Sequence, residues 1–248
     1  MIYVIGLGPG AADLLAPRAA AALEAATDLV GYGPYLDRVP PRAGQTRHAS
    51  ENRAELSRAR HALTLAQNGR RVALISGGDA GVFGMASALF EAVEHGPSAW
   101  LTLEIEVIPG VSALLAAAAR VGAPVGHDFC VLSLSDNLKP WEAIVARLAA
   151  AATAGFAIAI YNPASRARPW QLGAAFEMLR VHLPAATPVI FATAVTRTDE
   201  RISVTTLGAA DPALADMRTL VLIGTRDTRV IERPGAAPWV YAPRGEPA

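Results

Sequence analysis

Apolar residues in this chain fall in short runs, each closed by glycine, serine or proline, separated by longer stretches of helical composition. The first run, Ile2-Tyr3-Val4-Ile5, passes straight into Gly6-Leu7-Gly8-Pro9-Gly10, which predicts a buried strand delivered into a tight loop. Residues 13–26 then read as a helix. Residues 28–31 predict a second short strand, and residues 40–50, which lack periodicity, a loop. A helix is expected over 50–68, with Ser50 as N-cap and Gly69 as the residue that ends it. Strand 72–75 runs into Ser76-Gly77-Gly78-Asp79-Ala80-Gly81, followed by a helix over 82–95. Strand 103–108 ends in Pro109-Gly110-Val111-Ser112, ahead of an apolar helix over 113–120. Repeated strand-to-helix turns with small residues at the top predict a doubly wound parallel sheet.

Beyond Gly122-Ala123-Pro124 the rhythm changes. Strands at 129–134 and 156–161 alternate with helices at 140–153 and up to 179. Three runs, 188–194, 201–206 and 219–223, then come close together, with a hairpin expected around Thr198-Asp199-Glu200. This predicts a mixed sheet. The reading is therefore α/β with two domains, residues 1–122 and 123–248, and a boundary near 121–126.

Composition narrows the function classes. The 248 residues are 52% hydrophobic with formal net charge +0, so a large core can form and no global field draws in nucleic acid. Cys130 is the one cysteine, which excludes a disulfide framework and a multi-cysteine metal site. No apolar run reaches the ~18 residues of a membrane span, and the chain opens on a strand rather than a basic leader, so a cytoplasmic protein without membrane or nucleic-acid partners is expected. Lys139 is the one lysine, so arginine carries nearly all the positive charge.

The opening loop fits the G-x-G-x-x-G/A pattern of dinucleotide sites. Two features argue against that chemistry. Pro9 has no N–H to offer a pyrophosphate, and no acid ends the next strand, which closes in Val30-Gly31-Tyr32. A close backbone approach to a bulky ligand survives. Asp79 is either an acceptor for a ligand's hydroxyl or amine, or the N-cap of a helix starting near Gly81. Ser112 occupies the same kind of turn on another strand. No metal-ligand cluster and no nucleophile triad is visible.

Taken in order, Val4 to Gly10, Ser76 to Asp79, Glu106 to Ala113, Ala194 to Arg197 with Thr205-Thr206-Leu207, and Leu220 to Gly224 resemble the tetrapyrrole (corrin/porphyrin) methyltransferase family. The likeness runs through nearly the whole chain. Gly31 to Leu36, Gly126 to Asp136 with Pro140-Trp141-Glu142, and Tyr161 to Arg166 resemble the members that methylate carbon 17 of a precorrin and contract the ring in cobalamin synthesis. Two departures stand out: Ala80 where a proline commonly follows, and Ala16 where a threonine is common.

The resemblance implies the two-domain tetrapyrrole methylase fold, usually a homodimer, with S-adenosylmethionine as methyl donor in the interdomain cleft. Donor contacts would fall on Pro9, Gly77, Gly78, Asp79, Phe83, Ser112 and Ala113, and on Tyr161, Asn162, Ala194 and Thr206. Gly8 and Gly10 would floor a trough for the macrocycle. Its carboxylates suggest arginine partners among Arg38, Arg42, Arg47, Arg53, Arg166 and Arg168. Acid–base help in ring contraction would come from among His48, His127, Asp128, Asp136 and Tyr161, and the resemblance adds hand-over to neighbouring pathway enzymes as an expectation. Three alternatives stay open: another corrin-pathway methyltransferase acting on the cobalt-bound macrocycle, a nicotinamide-dependent oxidoreductase, and a non-catalytic ligand-binding protein.

Overall fold

The structure, a computed structural model, describes residues 1–165 and 167–245. The chain divides into two compact units, Met1–Ala113 and Leu114–Ala248. The division falls at the start of a helix, ahead of the 121–126 segment where the composition changes.

In the first unit the elements run β1 (Ile2–Gly6), α1 (Pro17–Ala25), β2 (Asp28–Tyr32), α2 (Gly33–Leu36), β3 (Thr46–Ser50), α3 (Glu55–Gln67), β4 (Val72–Ser76), α4 (Met85–Glu94) and β5 (Ile105–Ile108). The five strands are all parallel, in the order β3-β2-β4-β1-β5. Side chains alternate across the central strands, as a strand's period of two requires. Ile2, Val4 and Leu74 meet Ala59, Leu63 and Leu89 of α3 and α4 on one face, while Ile5, Leu29 and Ile75 meet Ala19, Ala22 and Leu23 of α1 on the other. Alanine on the buried helix faces lets those helices pack close at little side-chain entropy cost.

Three expectations need correction here. Residues 46–50 are not loop but the edge strand β3. Its Thr-Arg-His-Ala-Ser sequence lacks an apolar alternation because an edge strand can leave its side chains to polar partners. The following helix starts at Glu55 rather than Ser50, whose hydroxyl instead accepts from Arg58 Nε at 2.7 Å. Likewise α4 begins at Met85, after an irregular turn, rather than at residue 82.

The second unit comprises α5 (Ala113–Val121, from its second residue), β6 (Gly122–Ala123), β7 (Phe129–Ser133), α6 (Trp141–Thr153), β8 (Ala157–Tyr161), α7 (Gln171–His182), β9 (Pro188–Thr193), β10 (Arg201–Thr206), β11 (Thr219–Ile223), β12 (Arg229–Arg233) and β13 (Ala236–Tyr241). Its main sheet is mixed, in the order β10-β9-β11-β8-β7, with β7 and β8 parallel and the other neighbours antiparallel. Phe176 and Phe191 meet edge to face in its core, with ring centroids 6.1 Å apart. The β12–β13 ribbon turns at Gly235 (φ +69°) and pairs with β6; it lies beyond the last strand expected from the sequence.

Candidate functional site

In the first unit, the loops leaving β1, β4 and β5 meet at the carboxyl ends of their strands, where an open α/β sheet collects ligands. The first two are bonded backbone to backbone. Gly8 N–H donates to the Gly78 carbonyl at 3.0 Å, and Gly78 N–H returns to the Gly8 carbonyl at 2.9 Å. The third loop closes on both: a Cβ at Gly110 would overlap the Gly78 carbonyl oxygen and stand 2.7 Å from that of Gly6. Glycine there is a demand of close approach.

Asp79 holds this crown together. Its Oδ1 accepts from Gly81 N–H at 2.8 Å and its Oδ2 from Gly110 N–H at 2.9 Å. It is not the N-cap of α4, whose cap position is Gly84. The carboxylate staples the second loop to the third. Pro9, Gly77, Gly78, Phe83 and Ser112 belong to these loops, with Ala113 at the end of the third; Pro9 and Ser112 are buried, whereas Phe83 is 54% exposed.

Backbone strain marks several of the same positions. Among the described residues, five non-glycine residues have positive φ: Arg53 (63°), Phe83 (52°), Asn162 (51°), Ala194 (50°) and Thr196 (64°). Such conformations cost about 1–2 kcal/mol each and gather at ligand sites. The first four are candidate ligand residues; Thr196 was not foreseen, although it lies in the Ala194 to Arg197 segment. Its N–H donates to the Glu200 carboxylate.

In the second unit, the parallel strands β7 and β8 end side by side. Tyr161 closes β8, and its hydroxyl accepts the Leu114 N–H at 3.1 Å. Asn162 Nδ2 donates to Ser133 Oγ at 2.9 Å. Arg168 donates to the carbonyls of Leu134 and Asn162, and Asp136 accepts from Gln171 at 3.3 Å. His127 and Asp128 precede β7, at its far end, because the five-residue strand carries the chain away. They do not join Asp136 and Tyr161. Thr206 is also separated from Ala194: it pairs with Pro188 at one end of the β9–β10 ladder, whereas Ala194 follows Thr193 at the other.

His48 faces away from the strand tops. Its Nε2 meets Asp28 at 2.9 Å, its Nδ1 lies 3.1 Å from His61 Nε2, and Arg70 Nε closes on Asp28 at 2.7 Å. Burial alone would raise the Asp28 carboxyl, but hydrogen bonds from His48, Thr27 and Arg70 outweigh it and hold its pKa below the usual value. Burial and the neighbouring His48 push the His61 imidazole down. This cluster ties the amino end of β2 to β3, α3 and the turn before β4.

The arginine candidates separate similarly. Arg38 donates to the carbonyls of Leu7 and Gly8, Arg47 to those of Leu36 and Val39, and Arg42 pairs with Glu24 at 2.6 Å. Arg53 stays exposed, beyond the end of β3. Arg166 lies outside the described residues. A cavity of about 370 Å³ opens at the carboxyl ends of β2 and β3, lined by Tyr32, Gly33, Pro34, Ala49, Ser50 and Glu51. A second hollow of about 390 Å³, among Glu24, Arg42, Gln45 and Arg71, lies at the opposite end of the strands and away from the loops. Among the described residues no helix is long and apolar enough to cross a membrane.

The chain is 57% identical over 243 residues to a precorrin-3B C(17)-methyltransferase from Sinorhizobium sp, covering 98% of this chain and 96% of the relative. It is 42% identical to a probable cobalt-factor III C(17)-methyltransferase from Salmonella typhimurium, covering 93% and 95% of the two chains. The crystal structure of the methyltransferase CobJ superposes with a TM-score of 0.93 at 52% identity, over 98% of this chain and 99% of that one. The family model for tetrapyrrole (corrin/porphyrin) methylases matches residues 1–211. On a family match across residues 1–211 and 57% identity over nearly the whole chain, this chain belongs to the tetrapyrrole (corrin/porphyrin) methylases.

Proposed function

We propose that this protein methylates carbon 17 of a precorrin, with contraction of the ring, in cobalamin biosynthesis, and that S-adenosylmethionine is the donor. The observation that carries the reading is the crown: three loops cross-bonded at the strand tops, with Asp79 stapling two of them. Such a crown suits a donor recognised by shape and backbone contacts. The donor has no phosphate, which agrees with a proline rather than an N–H donor at Pro9. In this reading Pro9, Gly77, Gly78, Phe83, Ser112 and Ala113 take the donor, and Gly8 and Gly10 face the macrocycle.

When bound, the donor supplies an electrophilic methyl group for in-line displacement by an electron-rich carbon, a reaction governed by how the reactants are held. The protein's part is orientation and exclusion of water. For the proton movements of ring contraction, Asp136 and Tyr161 are the favoured groups, because both stand at the carboxyl ends of β7 and β8. Arg53, exposed beyond β3, is the favoured partner for a substrate carboxylate. A cytoplasmic homodimer that passes its product to neighbouring pathway enzymes completes the proposal; sedimentation of the purified protein tests the dimer.

Incubation with S-adenosylmethionine and a precorrin-3B-generating mixture, followed by mass spectrometry, tests the assignment. A gain of one methyl group is expected; no gain beside active controls overturns it. The Salmonella relative's likeness favours a second reading, in which the macrocycle already carries cobalt. Competing the metal-free and cobalt-bound macrocycles in one reaction decides between the two.

A further inference from the structure

Arg38 has the credentials of a carboxylate clamp, yet its guanidinium is turned onto the backbone. Nη2 donates to the Gly8 carbonyl at 2.8 Å and to the Leu7 carbonyl at 3.3 Å. The Gly8 carbonyl also accepts Gly78 N–H at 2.9 Å, so one oxygen receives a cation-assisted bond and the bond that joins the first loop to the second. Gly8 sits at φ +72°, a conformation that needs holding.

Arg38 is itself held. It lies in the turn after α2, where its N–H donates to the Tyr35 carbonyl and Val39 N–H to that of Leu36. Arg47, on β3, donates to the carbonyls of Leu36 and Val39 on either side of that turn. A line of support therefore runs from the edge strand through Arg47 to the turn, then through Arg38 to Gly8 and Gly78.

We propose that Arg38 is a positioning residue that sets the shape of the donor loops, with Arg47 bracing it, and not a clamp for a substrate carboxylate. This rests on the proposed donor site. A cationic hydrogen bond to a half-buried carbonyl fixes the loop more firmly than a neutral one, and that loop carries Pro9.

The test measures donor-site affinity by calorimetry and the tetrapyrrole KM at saturating donor, in Arg38→Met and Arg38→Lys. Arg38→Met is expected to weaken S-adenosylhomocysteine by about tenfold, the scale of the short charged hydrogen bond to Gly8 that shapes the loop. The same factor is expected for 5′-methylthioadenosine, which lacks the amino-acid carboxylate. Arg38→Lys restores part of the affinity, because an ammonium can still reach one carbonyl, and the tetrapyrrole KM stays within about twofold. Arg47→Met gives a smaller loss in the same direction. A raised tetrapyrrole KM with unchanged S-adenosylhomocysteine affinity would identify a substrate clamp and overturn the proposal. So would a loss confined to S-adenosylhomocysteine, which means direct contact with the donor's carboxylate, or no change in any of these. Wild-type protein that binds neither ligand is a different result and overturns the donor-site reading itself.

Discussion

Asp79 spends an oxygen on each of two backbone amides, so replacing it removes two charge-assisted hydrogen bonds and unfastens the second loop from the third. Asp79→Ala is expected to weaken S-adenosylhomocysteine by at least about tenfold, and Asp79→Asn by less, since one carbonyl oxygen remains to accept. Calorimetry on the two variants checks the order; equal affinities for all three proteins would mean the loops keep their shape without the staple. Gly110 makes a harsher test. A methyl group there would run into the Gly78 carbonyl, which is backbone and cannot swing aside. Gly110→Ala is therefore expected to lower the thermal midpoint and abolish measurable donor-site binding. Gly33→Ala, where a Cβ meets nothing within 4 Å, should leave both unchanged.

At the scale of elements, the Asp28 cluster makes β2, β3 and the turn before β4 one mechanical unit. Asp28 is only 2% exposed, so Asp28→Asn leaves His48 and Arg70 without their shared anion and is expected to cost about 3 kcal/mol at neutral pH. Because the folded pKa is held below the unfolded one, the carboxylate's contribution is complete above the unfolded value and is lost as pH falls through the folded value. Urea titrations should thus show the gap between wild type and variant closing below about pH 4. The same strand shows what was hidden in the sequence. The apolar strands β1, β4, β8, β9 and β11 announce themselves because both faces of those strands are buried, and glycine marks the turns after β1, β4 and β11. β3 satisfies its polar side chains through Asp28, Leu36 and Val39, partners distant in sequence, and so carries no periodic signal. The glycine loops could be read as turns at the strand tops, but that Gly8 bonds Gly78 and that Gly110 closes on Gly6 and Gly78 depends on parallel strand order, which no local pattern encodes. The ribbon of β12 and β13 was missed despite Pro234-Gly235, a turn signal between two short runs that alternate only loosely.

For the molecule as a whole, several of the arginines are engaged within the protein. Arg18 pairs with Glu106, Arg70 with Asp28, Arg120 with Glu200, Arg180 with Glu177, and Arg218 with Asp199 and Asp216. Arg38, Arg47 and Arg58 are turned onto carbonyls, with Arg58 donating to Glu51. With net charge +0, the field at a distance is weak, so under the proposed function a polycarboxylate macrocycle is expected to be captured by a few local cations, Arg53 among them. Exposed charges a Debye length apart are screened in ordinary buffer, whereas short contacts inside a site are not. The expected kcat/KM for the tetrapyrrole therefore falls by less than about threefold between roughly 50 and 300 mM salt. Arg53→Gln should raise the tetrapyrrole KM several-fold and flatten even that slope, with kcat retained, since removing uniform binding leaves the chemical step alone. A tenfold or steeper decline with salt in the wild type would mean that steering by a concentrated basic surface, rather than local contact, brings the substrate in.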